Sequence, residues 1–154
     1  MQKKNLSYAI YLATIAHKDQ YDKSGNPYIL HCLHVMDAVK SYGEDYMIVA
    51  ILHDIIEDTS YTIIDIVDNI NLSQEMFDAI ELLTHDKNFD TYEKYISKIA
   101  FSNNKIAIKV KMEDLRHNSD INRLKGLGTK DIKRIEKYHK AYTLLSSIWD
   151  KIYV

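Results

Sequence analysis

The string AILHDIIEDT, residues 50–59, sets His53, Asp54, Glu57 and Asp58 into a stretch that is otherwise apolar. Ionised carboxylates in such surroundings must be hydrogen-bonded, ion-paired or bound to a metal, because leaving one unpaired in a core is very costly. Asp54 and Asp58 are four residues apart, as are His53 and Glu57, so the two pairs are expected on neighbouring strips of one helix. A His-Asp dipeptide by itself is weak evidence and has an ordinary meaning as a satisfied surface pair. Its company changes that: His31 falls on an earlier helix, and Asp114 and Asn118 fall one turn apart in KMEDLRHN on a later one. Imidazole nitrogens and carboxylate oxygens together suit divalent manganese, iron or zinc, with positions left open for water.

Other histidines compete for the same chemistry. His34 lies three residues after His31 on the same predicted face, and His117, beside Asn118, reads equally well as a phosphate contact or a helix-end histidine. His17 follows an apolar stripe and reads as a hydrogen-bonded residue near the core, while His85 and His139 have weaker cases. Cys32 is either a redox handle or a small buried hydrophobe, the second being the commoner fate.

The elements that must position these groups are helical. Four Gly and one Pro in 154 residues leave few strand-turn signals. Leu6, Ala9, Ile10, Ala13 and Ala16 predict a first helix, stopped by DKSGNP at 22–27; a second runs from near Pro27 to Gly43. Ile48, Val49, Leu52, Ile55 and Ile56 predict a third, apolar nearly all round and therefore central and buried. Ser60 or Thr62 caps a short helix carrying Ile63 to Ile70, and Ser73 caps another through Leu83. Asp90 with Glu93 reads as a capping-box variant opening a helix through Ile99; the last two helices run from Ile106 to about Asn118 and from Thr129 to about Lys151. The Gly126–Gly128 turn joins them and does not match a phosphate-cradling loop. The expectation is an all-α bundle of about eight helices forming one domain over residues 1–154, which buries roughly two thirds of its unfolded surface.

Composition excludes several classes. The 20 Lys and Arg are dispersed among 22 Asp and Glu for a net charge of −2, so neither duplex nucleic acid nor an anionic membrane is expected as partner. The 12 tyrosines fall mostly at helical core or boundary spacing, without the basic interleaving of a stacking platform, so packing explains them. In KDIKRIEKYHK the stripe of Ile132 and Ile135 continues, leaving its lysines on a solvated face. No apolar run approaches the roughly 20 residues of a membrane span, MQKKNLSYAI lacks the features of a secretory signal, and the single cysteine allows no intrachain disulfide. A reducing cytoplasm is the expected compartment; the oligomeric state is left open.

The order PYILH, LHDIIEDT, KMEDLRHN resembles the hydrolase domain of the RelA/SpoT alarmone enzymes and the small stand-alone alarmone hydrolases within the HD phosphohydrolases. Three motifs agree in order and spacing over roughly residues 5 to 145, and EDT after the HD pair marks this branch. The resemblance implies a helical HD-domain bundle and a metal-dependent, manganese-dependent for preference, removal of the 3′-pyrophosphate from ppGpp or pppGpp. Position by position it makes His31, His53, Asp54 and Asp114 the metal ligands and Glu57 and Asp58 the acidic pair beside the attacking water. Lys23, Ser24 and Asn118 would line the pocket for a small-molecule nucleotide, with Arg134 and Tyr138 facing phosphate; among the tyrosines, Tyr28 in PYI is the one expected near the ligand. A cation at the ligands lowers the pKa of water and shields the diphosphate, while Lys23 and Arg134 offset an acidic pocket.

The chain also departs from that family. Asp22 stands where an Arg packed near the base is usual, and Cys32 stands where a Pro follows the first metal histidine. Asp22 opens the alternatives of an adenosine alarmone, NADPH or another 3′-phosphorylated nucleotide as substrate. A non-catalytic nucleotide-binding module is the third possibility, one that has no need of the acidic pair. On electrostatic grounds Asp22→Arg is expected to tighten guanosine alarmone binding.

Overall fold

A computed structural model describes residues 5–153. Residues 1–4, which begin the segment read for a secretory signal, and residue 154 lie outside the described residues, as do those ends of the expected domain. The chain forms α1 (Leu6–Ala16), α2 (Ile29–Ala38), α3 (Glu44–Leu52), α4 (Ile55–Asp58), α5 (Ile63–Val67), α6 (Gln74–Leu83), α7 (Tyr92–Ala100), α8 (Lys105–Asn118) and α9 (Thr129–Tyr153). Short 3₁₀ turns at Lys40–Tyr42 and Ile121–Arg123 separate α2 from α3 and α8 from α9. Among the described residues the β-contact is a single bridge, Tyr21 to Pro27.

The bundle has two central members. Ile48 to Leu52 of α3 are all buried, and α3 packs against α1, α2, α6 and α8. The second is α8, which also meets α2, α6, α7 and α9. Its buried face runs through Ile106, Ala107, Ile108, Val110, Met112 and Leu115. Thus α3 and α8, each carrying motif residues, lie side by side in the core.

Polar side chains satisfy the amides that helix starts leave open. Thr62 and Asp65 form a reciprocal capping box, Ser73 accepts from the Met76 amide, and Asn104 accepts from Ala107. At α7 the expectation fails by one residue: Thr91 is the cap and accepts from Lys94. Asp90 pairs instead with Lys94 at 3.2 Å and with Lys98, so its carboxylate serves ammonium groups one and two turns on rather than the backbone.

The larger departure is in the motif itself. The predicted third helix is broken after Leu52, and Asp54 has φ −105° and ψ 0°, a sparsely used conformation common at active sites. The His53 side chain donates from Nδ1 to the Ala50 carbonyl at 2.6 Å, while its backbone amide reaches the same carbonyl at 3.4 Å. The i→i−4 ladder therefore stops there, and a new turn starts as the Asp58 amide bonds the Asp54 carbonyl at 3.0 Å. His53/Glu57 and Asp54/Asp58 are consequently not strips of one continuous helix.

Candidate active site

The break lets His53 and Asp54 both turn to α2 and α8. One ligating atom each from His31, His53, Asp54 and Asp114 lies within 4.8 Å of all the others. His31 Nε2 is 3.0 Å from Asp114 Oδ1 and 3.7 Å from Asp54 Oδ2, and His53 Nε2 is 2.9 Å from Asp54 Oδ2 and 3.5 Å from Asp114 Oδ1. Both Nε2 atoms are fully buried and, close as these oxygens are, lack a partner in hydrogen-bond geometry. Orphaned imidazole nitrogens converging with carboxylate oxygens are what a divalent cation requires, and the donor set fits one.

Each of these groups is oriented from behind. His53 is fixed through Nδ1 by Ala50, which turns Nε2 inward, and His31 Nδ1 lies 2.7 Å from Nδ1 of His117. Tyr28 Oη donates to Asp54 Oδ2 at 2.5 Å. Asn118 Nδ2 donates to Asp114 Oδ1 at 2.7 Å, and Lys111 Nζ donates to Asp114 Oδ2 at 2.8 Å. Burial disfavours the Lys111 ammonium, but Asp114 and the Tyr95 and Tyr92 rings around it keep it charged well above the ordinary lysine range. Burial likewise opposes ionisation of Asp114, and Lys111 with the two histidines outweighs it, holding that carboxyl well below the usual range. Lys111 escaped the sequence reading although its i,i+3 spacing to Asp114 was visible.

The acidic pair is differentiated by its surroundings. Glu57 Oε1 accepts from the His85 amide at 2.8 Å and Oε2 lies 3.5 Å from Lys87 Nζ, so this carboxylate is tied to the loop after α6. Asp58 has no side-chain hydrogen-bond partner among the described residues, and it is exposed. Partial burial, with the Asp54 and Glu57 carboxylates nearby, pushes it up to about 6. Both face a cavity of about 410 Å³ that also exposes Asp54, Asp114, Lys87, Lys111 and Lys137.

A second cleft of about 270 Å³ adjoins this cavity, sharing Tyr28, Asn118 and Tyr138 with it. Lys23, Ser24 and Arg134 line it, so all six residues expected around a nucleotide border one of the two cavities. Several have duties within the fold: Ser24 Oγ donates to the Arg123 carbonyl, Arg134 lies 3.1 Å from Asp131, and Tyr28 and Asn118 brace ligand carboxylates. His34 is exposed and stacks on His117 at 3.8 Å, outside the ligand cluster. Cys32 is fully buried, and burial pushes its thiol far up, the state of a packed hydrophobe. His17 is buried with Nδ1 2.5 Å from Gln20 Oε1, as a near-core histidine should be.

Comparison with known proteins adds to this geometry. No protein-family model matches the chain. A 121-residue stretch, 70% of the chain, is 28% identical to a guanosine-3′,5′-bis(diphosphate) 3′-pyrophosphohydrolase of Haemophilus influenzae. A 66-residue stretch, 40% of the chain, is 41% identical to a probable GTP pyrophosphokinase of Mycobacterium leprae. These alignments span 17% and 8% of the two relatives, so the chain corresponds to a small part of each. A solved structure of a metazoan ortholog of SpoT, described as hydrolysing ppGpp, superposes with a TM-score of 0.68 over 98% of this chain and 97% of the other, at 18% identity. Among the described residues no helix is long and apolar enough to cross a membrane. In fold, the chain is an all-α bundle like that of the metazoan SpoT ortholog.

Proposed function

We propose that the protein is a metal-dependent hydrolase that removes the 3′-pyrophosphate of ppGpp or pppGpp, releasing GDP or GTP. The observation that carries this reading is the convergence of His31, His53, Asp54 and Asp114, whose two carboxylates open onto a cavity also lined by Glu57 and Asp58. The ppGpp hydrolases among its relatives support the substrate class. Those four side chains would hold the cation; two imidazoles with two carboxylates admit manganese, iron or zinc, and manganese is the ion that the family resemblance implies. When bound, the ion supplies positive charge at the diphosphate and makes water a stronger acid.

The chain's own residues supply the remainder. In hydrolysis, a water oxygen bonds to the phosphorus next to the ribose, the bond from that phosphorus to the 3′-oxygen breaks, and the nucleoside 3′-oxygen ends protonated. Asp58, unpartnered and titrating near neutrality, is suited to take the water proton, because a catalytic pKa near the working pH maximises proton transfer. Glu57, held by the His85 amide and Lys87, orients the water. Lys87, Lys111 and Lys137 offset the charge of the departing pyrophosphate.

The adenosine-alarmone, NADPH and non-catalytic alternatives are separated by one experiment. Purified protein loaded with manganese is incubated with a panel of 3′-pyrophosphorylated and 3′-phosphorylated nucleotides, and the products are identified. Pyrophosphate and GDP from ppGpp are expected; turnover of another member alone would reassign the substrate, and turnover of none would overturn the hydrolase.

A further inference from the structure

His117 has no part in the hydrolytic step, and it lines neither of the two cavities just described. Its ring instead meets that of His31 edge to edge. The two Nδ1 atoms are 2.7 Å apart, the ring planes differ by 12°, and the 5.0 Å between centroids is that N···N distance plus one ring radius at each end. The bond therefore runs nearly in the plane of both imidazoles, along the N–H of one nitrogen and the lone pair of the other, as a hydrogen bond prefers. One proton fits between them. We propose that His117 is a positioning residue of the metal centre: its Nδ1 accepts from His31 Nδ1–H and holds His31 in the tautomer whose Nε2 offers a lone pair to a cation. The inference rests on the reading of His31, His53, Asp54 and Asp114 as metal ligands.

Three observations carry it. The first is a contrast between the two ligand histidines. His53 donates from Nδ1 to the Ala50 carbonyl at 2.6 Å, and a carbonyl only accepts, so that tautomer is fixed. His31 faces an imidazole, which can accept or donate, so its tautomer depends on the partner. The second is the grip of α8. Asp114 and His117, three residues apart on that helix, face the two nitrogens of the His31 ring, with Asp114 Oδ1 3.0 Å from Nε2. With the proton on Nδ1, the buried Nε2 that lacks a hydrogen-bond partner is a lone pair turned to a ligand, where the other tautomer would leave a stranded donor. The third is that His117 is itself held. His34, three residues along α2 from His31, stacks on its ring at 3.8 Å and 14°, and Arg123 Nη1 donates to its carbonyl at 2.8 Å. Neither ring changes charge; the bond settles which nitrogen carries the proton, and such outer partners orient a ligand and raise its basicity.

Zinc affinity, read by competition with a chromophoric chelator, tests the proposal with no substrate present. His117→Phe keeps a flat ring for the His34 stack but removes the acceptor, so affinity should fall roughly tenfold to a hundredfold. His117→Asn loses the ring but sets Oδ1 as many bonds from the backbone as Nδ1 was, so it should bind zinc within about threefold of wild type. A packing role predicts the reverse order, with phenylalanine tolerated and asparagine damaging, and that order overturns the assignment. If melting curves show either variant misfolded, zinc-loaded wild type decides. Nitrogen NMR spectra of its histidines should place the proton on His31 Nδ1, coupled through the hydrogen bond to His117 Nδ1; a proton on His117 Nδ1 overturns the assignment. Wild-type protein that binds neither zinc nor manganese would sink the metal-site reading and this inference with it. Zinc bound equally by wild type and His117→Phe would sink this inference alone.

Discussion

The ligand cluster and the adjoining cleft are built in opposite ways. In the cluster, His31, His53 and Asp114 come from or border buried helices and are at most 3% exposed, each braced by a neighbour. The cleft is walled by the 20–28 loop, the turn at 121–124 and one face of α9, and most of its lining is partly or fully exposed. Only Gly25, at φ +85°, lets the first of these loops turn tightly enough for the Tyr21–Pro27 bridge. Groups that must meet at one point are placed by the core, where close packing leaves little freedom. The groups that line the cleft sit largely on loops, which can vary without unfolding the bundle.

The comparison breaks most sharply at Asp114. Asp114→Ala should remove bound metal and all detectable turnover, and it also strands the Lys111 ammonium in the core, a loss on the order of 3 to 5 kcal/mol of stability. Elemental analysis and a denaturant melt check both halves. Asp54→Ala should lose the metal equally but melt closer to wild type, because the Asp54 carboxylate braces no buried ammonium. Stoichiometric metal in either variant would refute the ligand set.

Next comes the acidic pair. Asp58→Asn should lower kcat by about 10², the scale of a lost general base, with metal content and ppGpp affinity nearly intact. Its pH dependence gives the sign. A carboxyl raised to about 6 takes up its proton as the pH falls through that value, so wild-type kcat should drop on the acid side of about pH 6. In Asp58→Asn that acid limb should vanish. Glu57→Gln should retain the limb, since the roles differ; a limb lost in Glu57→Gln and kept in Asp58→Asn would exchange them.

Effects in the cleft are smaller and fall on affinity. The sequence alone favours Asp22→Arg as a gain, yet Asp22 closes its own turn and faces Arg123. A second guanidinium there meets a like charge and removes the oxygen that accepts from two turn amides, so KM for ppGpp should rise, by roughly threefold to tenfold given an exposed pair's modest energy. A lowered KM in the same titration would restore the simpler electrostatic view. Smallest of all, Ser73→Ala removes the cap of α6, a helix that lines neither cavity, and should cost about 1 kcal/mol of stability with unchanged KM. A thermal melt beside the kinetic assay sets this baseline for purely structural change.

The sequence by itself determined the helical class, the burial of the stretch around Ile48 to Leu52, and the oddity of His53 and Asp54 among apolar residues; the choice of His31 and Asp114 to join them came from the family resemblance. Those signals are local: hydrophobic spacing reports which face is buried, and a carboxylate amid apolar residues announces that it has a partner. The tertiary structure alone decided the rest. Periodicity carried the third helix straight through His53, because it cannot register a side chain capturing the Ala50 carbonyl. Lys111 and Asp114 share a helix, but their meaning as a buried pair depends on α7 covering them with Tyr95. Arg123 and Asp22 are 101 positions apart, and no spacing rule links an exposed-looking arginine to an aspartate in another loop. Residues that chemistry forces into the core betray themselves by being out of place among apolar neighbours; residues on the rim look ordinary until the fold brings their partners to them.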